Sequence, residues 1–110
     1  VATQHEDCGT CVQIEVNLAR RAGVVPEVLR AAVLGRPDEL PAPLADAYRF
    51  AAAVVEAGGA EGEWRERVRA HYGEEALVEM ALGVAAARVF PTTKRALGYA
   101  TSCALVRVDV

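Results

Sequence analysis

Residues 74–90 constrain the fold more than any other stretch. Leu77, Val78, Met80, Ala81, Leu82, Val84, Ala85 and Val89 go nearly all the way round a helix, opened by Glu74 and Glu75 where the helix dipole favours negative charge. An apolar surface on almost every side predicts burial on almost every side, so this is expected to be the central, buried helix. Pro91 is expected to stop it and to start a last helix in which Ala96, Tyr99, Ala100 and Cys103 share a face. Gly98, read as mid-helix, would suit close approach of another backbone.

The material available to surround such a helix is small side chains. Hydrophobic residues make up 53% of the 110 residues and aromatics only 5%, so the core must be built from Ala, Val and Leu. A chain of this length forms one domain with a modest core. Close helix packing or burial in an oligomer can compensate, and the number of apolar helix faces favours the oligomer.

Gly and Pro divide the rest of the chain into helix-length pieces. A first helix is expected over residues 3–22, interrupted or capped near Asp7 to Thr10 and closed by Gly23. Pro26 opens a second as an N1 proline and carries it to Gly35. Residues 36–43 hold three prolines and read as a linker. A third helix spans 44–57, with Leu44, Tyr48, Ala51, Ala52 and Val55 recurring along it and Gly58-Gly59 ending it. A fourth spans 61–72, with Trp64, Val68, His71 and Tyr72 on one face. The alternating tail, residues 105–110, reads as a short strand or a frayed end. The expectation is an all-α, single compact domain of about six helices over residues 1–110.

Charge and composition exclude several classes. Fifteen acidic and twelve basic residues, spread through the chain, give a net charge of −3 and no electrostatic case for nucleic acid or an anionic membrane. No stretch approaches the unbroken apolar run of ~20 residues that a membrane span needs. The chain opens Val1-Ala2-Thr3-Gln4, without Met and already at helix-competent residues, so an upstream part is expected to be missing. Three cysteines leave one odd, which argues against a secreted disulfide framework and for a reducing cytoplasm with one redox pair.

That pair is Cys8-Gly9-Thr10-Cys11, two thiols one helical turn apart at the mouth of a helix. Such a pair can close a small disulfide ring, and a helix N-terminus favours the thiolate. Dithiol redox chemistry is the functional reading; an inert pair or half of a metal site are the alternatives. Zinc would want four ligands, and Cys103, His5 and His71 lack ligand-like spacing. Cys8, Cys11, Val12, Glu15, Ala19 and Ala22 share one helix face, so Glu15 sits on the cysteine face, where a carboxylate is costly unless used or paired. It is either a general base or proton relay for the thiol, or a salt-bridge partner of a neighbouring Arg. Ile14 and Leu18 form a second apolar row, as expected of a helix buried on more than one side.

Several other residues have plainer readings. His5 could lie beside Cys8 if the helix is continuous there, and Glu6 and Asp7 serve as local capping groups. His71 reads as a satisfied core or interface residue, Cys103 as a small buried hydrophobe, Lys94-Arg95 as a solvated face, and Trp64 and Tyr48 as core anchors.

The run Cys8-Gly-Thr-Cys11-Val-Gln-Ile-Glu15-Val-Asn-Leu-Ala-Arg-Arg-Ala-Gly23-Val-Val-Pro26-Glu resembles the core motif of the carboxymuconolactone decarboxylase superfamily, and within it the alkylhydroperoxidase D branch. The later block Phe90-Pro91-Thr-Thr-Lys94-Arg95-Ala-Leu-Gly98 is in keeping with it. The resemblance implies an all-helical fold, assembly as trimers, hexamers or related homo-oligomers, and no flavin, haem or metal. Family members in the redox-active branch carry Cys-x-x-Cys-x-x-x-His with an upstream Glu, and their second cysteine attacks the peroxide. Carried over, Cys11 would become the sulfenic acid, Cys8 would resolve it, and an external thiol reductant would restore the pair. Helix-terminus geometry alone points instead to Cys8 as the more acidic thiol. Glu15 occupies the histidine position, and the upstream Glu would fall before Val1. The resemblance therefore implies a cofactor-free dithiol oxidoreductase acting on hydroperoxides or disulfides through Cys8, Cys11 and Glu15. A catalytically silent helical assembly or binding module is the alternative, and lyase or isomerase chemistry on a small carboxylated substrate is a further one.

Overall fold

The structure is a computed structural model that describes residues 1–5, 9–98 and 108, and of residues 5, 9 and 10 the backbone alone. The described residues form six helices and no strand: α1 (Ala2–His5), α2 (Gly9–Arg21), α3 (Pro26–Val33), α4 (Ala42–Glu56), α5 (Glu61–Tyr72) and α6 (Glu74–Ala96). The all-α expectation holds. The interruption expected near Asp7 to Thr10 falls partly outside the described residues, between α1 and α2. The tail expected as strand or frayed end lies outside them too, apart from Val108.

The punctuation acts largely where the residue types require it. Pro26 begins α3, and Gly23 follows α2 with φ +94°, a conformation open to glycine without a Cβ clash. Residues 36–43 are less of a linker than expected, because Pro37–Glu39 form a 3₁₀ turn and α4 already begins at Ala42. Pro43 is tolerated there since first-turn N–H groups have no intrahelical partner. At the other end of α4, Ala57 rather than a glycine takes the left-handed cap, at φ 53°, and donates its N–H to the Ala53 carbonyl at 3.1 Å.

Packing gathers into two apolar clusters. Phe50 of α4, Val68 of α5 and Leu77 of α6 form one, flanked by Val54, Trp64, Tyr72 and Met80; Val68 is fully buried. Val12 and Val16 of α2 and Leu29 of α3 form the other, flanked by Ala19, Val33 and Val108. Helix α1 bridges them, touching α2, α4 and α6, with Ala2 and Thr3 buried. The Gln4 side-chain amide donates to the Val33 carbonyl at 2.8 Å, which ties α1 to the end of α3.

Three expectations about helix environment are overturned. Helix α6 is not a central buried helix: Leu77 and Pro91 are its buried residues, whereas Leu82 is 66% and Phe90 75% exposed. The reason is geometric, since α1, α4 and α5 cover one side of α6 and within the chain no described helix covers the other. Ile14 and Leu18 of α2 are likewise exposed, because α2 packs on α1 and α3 along its Val12 and Val16 face. Nor does Pro91 end α6. It lacks the N–H that would bond the Ala87 carbonyl, yet the helix continues to Ala96 with the ring buried and the Thr93 hydroxyl donating to the Val89 carbonyl at 2.7 Å.

Gly98 also differs from its expectation. At φ +79° it follows the helix end, its N–H bonded to the Arg95 carbonyl, and a Cβ there would meet nothing within 4 Å. It serves as a terminator, not as a close-approach site. By length and composition α6 is long and apolar enough to cross a membrane, nearer to a span than expected, with 11% of its most apolar window buried. Glu79 and Arg88 break the apolar run.

Candidate functional site

A groove of about 960 Å³ opens between α2 and α6, with α4 as its floor. Its size lies at the upper end of the range of ~300–1,000 Å³ common for small-molecule sites. Cys11, Ile14 and Glu15 line it from α2; Tyr48 and Phe50 line it from α4; Met80, Val84, Phe90 and Lys94 line it from α6. The wall is mainly apolar, and Glu15 and Lys94 supply its charged side chains.

Cys11 is the third residue of α2, half-buried and disulfide-bonded. The other cysteines of the chain, Cys8 and Cys103, lie outside the described residues, as do the side chain of His5 and the acids Glu6 and Asp7. Because α2 is unbroken from Gly9 to Arg21, Glu15 stands one turn beyond Cys11 and the two line the same wall. The shared apolar face splits at this point: Val12 and Ala19 turn to the α3 cluster, while Cys11 and Glu15 turn to the groove.

The burial expected for Glu15 is absent, since the side chain is exposed and one face of α2 has no neighbour to desolvate it. Among the described residues it has no arginine partner either. Its carboxylate acts on the α-amino group of Val1, whose pKa is lowered by burial and partly raised again by the Glu15 charge. Lys94, expected on a solvated face, is half-buried and lines the groove. Tyr48, expected as a core anchor, is half-buried at its floor.

A second polar constellation sits away from the groove, between α4 and α5. Asp46 is a buried carboxylate, 6% exposed, with its Oδ2 at 3.0 Å from His71 Nε2 and its Oδ1 at 3.8 Å from Arg67 Nη1. Arg67 also lies over the Trp64 ring at 4.9 Å, and Arg49 lies over the same ring at 5.6 Å. His71 is partnered as expected, but it is exposed and not in the core, and its partner was missed. The signal for Asp46 was available: it lies four residues before Phe50 and seven before Ala53, on the apolar face of α4, where an unpaired acid would be costly. Tyr72 packs edge-on against His71, and its hydroxyl is buried with no hydrogen-bond partner among the described residues.

Among the described residues, no group of three or more His, Cys, Asp or Glu side chains comes together as a metal site. Compared with protein-family models, curated proteins and solved structures, the chain matches none.

Proposed function

We propose that this chain is a cofactor-free dithiol oxidoreductase that reduces hydroperoxides, or disulfides, through Cys8 and Cys11. The observation that supports it best is Cys11 itself, disulfide-bonded in the first turn of α2 and lining an apolar groove. A disulfide beside a ligand-sized groove is reachable by substrate and reductant, unlike one sealed in a core. In the reduced form, the positive end of the α2 dipole favours a thiolate at Cys11 in its first turn.

In the peroxidatic direction the Cys11 thiolate attacks the outer peroxide oxygen, the O–O bond breaks, and the alcohol leaves with a proton. The Cys11 sulfenic acid then condenses with the Cys8 thiol, releasing water and forming the disulfide. An external dithiol reduces that disulfide by exchange and is itself oxidised. Glu15, exposed on the groove wall one turn from Cys11, is the proposed proton acceptor and relay. The resemblance to the alkylhydroperoxidase D branch points the same way, and a homo-oligomer belongs to the proposal.

Peroxide consumption with dithiothreitol as reductant tests this reading. Cys11→Ser and Cys8→Ser are each expected to fall to the buffer rate, and Glu15→Gln to fall roughly a hundredfold or more, the range for loss of a general base. Unchanged turnover in both cysteine variants overturns the proposal. The second reading, a binding or assembly module, is favoured by the groove and the bare face of α6. Wild-type protein that consumes no peroxide or disulfide yet takes up an apolar ligand would establish it.

A further inference from the structure

Helix α6 has two faces of opposite fate. Met80, Val84 and Pro91 turn to the groove, while Val78, Leu82, Ala85 and Val89 are all exposed. At 100° per residue the second set forms one stripe on the far side of the helix. Its spacing of four, three and four residues is that of a helix–helix seam.

The stripe complements itself. Val78 and Val89 stand equally far from the point between Gly83 and Val84, and so do Leu82 and Ala85. When two such helices cross antiparallel about that point, each Val78 meets Val89 of the other copy, and each Leu82 meets the smaller Ala85 of the other copy. Gly83 itself lies on the groove side of the helix, so the seam is made by the four stripe residues alone.

Charge selects the same arrangement. The first half of α6 carries Glu74, Glu75 and Glu79, and the second half, apart from Lys94 on the groove side, carries Arg88 and Arg95. A parallel pair would superpose like charges; an antiparallel pair sets acidic halves against basic halves and opposes the helix dipoles. We infer that the outward stripe of α6 is an isologous contact between two copies of this chain, paired antiparallel with Leu82 and Ala85 at its centre. This contact does not rest on the dithiol reading. A bilayer suits the stripe less well, because Glu79 and Arg88 would enter the hydrocarbon.

Sedimentation equilibrium of the 110-residue chain tests the contact. Wild type is expected to form a dimer, or an even-numbered oligomer, at micromolar concentration. Leu82→Glu combined with Val89→Glu is expected to weaken that association roughly a hundredfold or more, with helix content by circular dichroism unchanged because both side chains are exposed. Orientation is read by cross-linking in chains whose native cysteines are replaced by serine. Val78→Cys mixed with Val89→Cys is expected to give the mixed disulfide. A monomeric wild type, association untouched by the double variant, or Val78→Cys linking mainly to itself overturns the inference. So does a monomer that floats with phosphatidylcholine–phosphatidylglycerol vesicles, which would assign the stripe to a membrane.

Discussion

The α4–α5 pair and helix α2 use similar residues to opposite ends. Between α4 and α5, apolar side chains are closed over: Phe50 and Val68 are buried, and the one charge driven inside, Asp46, is met by His71 and Arg67. On α2, Val12 and Val16 are buried, but Ile14, Glu15 and Leu18 stay exposed, and Cys11 lines a groove instead of a core. The contrast separates where the fold is held from where substrate could reach. A packed interface resists loss of volume, because its neighbours cannot collapse fully into a cavity. A groove wall tolerates substitution, and its side chains are free to meet a ligand.

The largest effect that sharpens this contrast is expected from Phe50→Ala. Removing a buried aromatic from the α4–α5–α6 cluster should cost ~3–5 kcal/mol, read as a drop in denaturant midpoint. A loss below about 1 kcal/mol would mean that the cluster is looser than its burial implies. Asp46→Asn comes next. It weakens the contacts to His71 and Arg67, both partly solvated, and should cost ~1–3 kcal/mol. Equal stability of the variant and wild type would show that the polar contact adds nothing to the α4–α5 pairing.

Tyr72→Phe is expected to act in the other direction. Its buried hydroxyl finds no partner among the described residues, so deleting it should stabilise by up to ~1 kcal/mol. It also changes the alkaline limb of stability. Burial, reinforced by the Asp46 charge, pushes the Tyr72 phenol above its ordinary value of 10.0. The unfolded chain then loses this proton at lower pH than the folded one, so its contribution is full below pH 10 and declines as pH rises towards the folded value. Tyr72→Phe should flatten that decline in melts taken between pH 9 and pH 11, a window set about the ordinary phenol value. The smallest change is expected on α2, where Ile14→Gln should move stability by no more than ~0.5 kcal/mol. The same variant should reduce fluorescence of an apolar dye in the groove. A large stability loss would instead show that this wall is part of the core.

The local course of the chain was legible in its residues. Gly23, Pro26 and Gly73 bound helices because a glycine at positive φ or a proline in a first turn is a local property of the backbone. The placement of Cys11 and Glu15 one turn apart on one wall was legible for the same reason, since it needs only an unbroken helix. Periodicity marks which faces are apolar, but it does not say which find a neighbour. That is why Ile14, Leu18 and most of α6 were expected inside and are found outside, while Asp46 and Pro91 are buried. Burial depends on surfaces brought together from distant parts of the chain. In a molecule built from Ala, Val and Leu there is too little side-chain volume to cover every apolar face, and tertiary packing decided which faces remained bare.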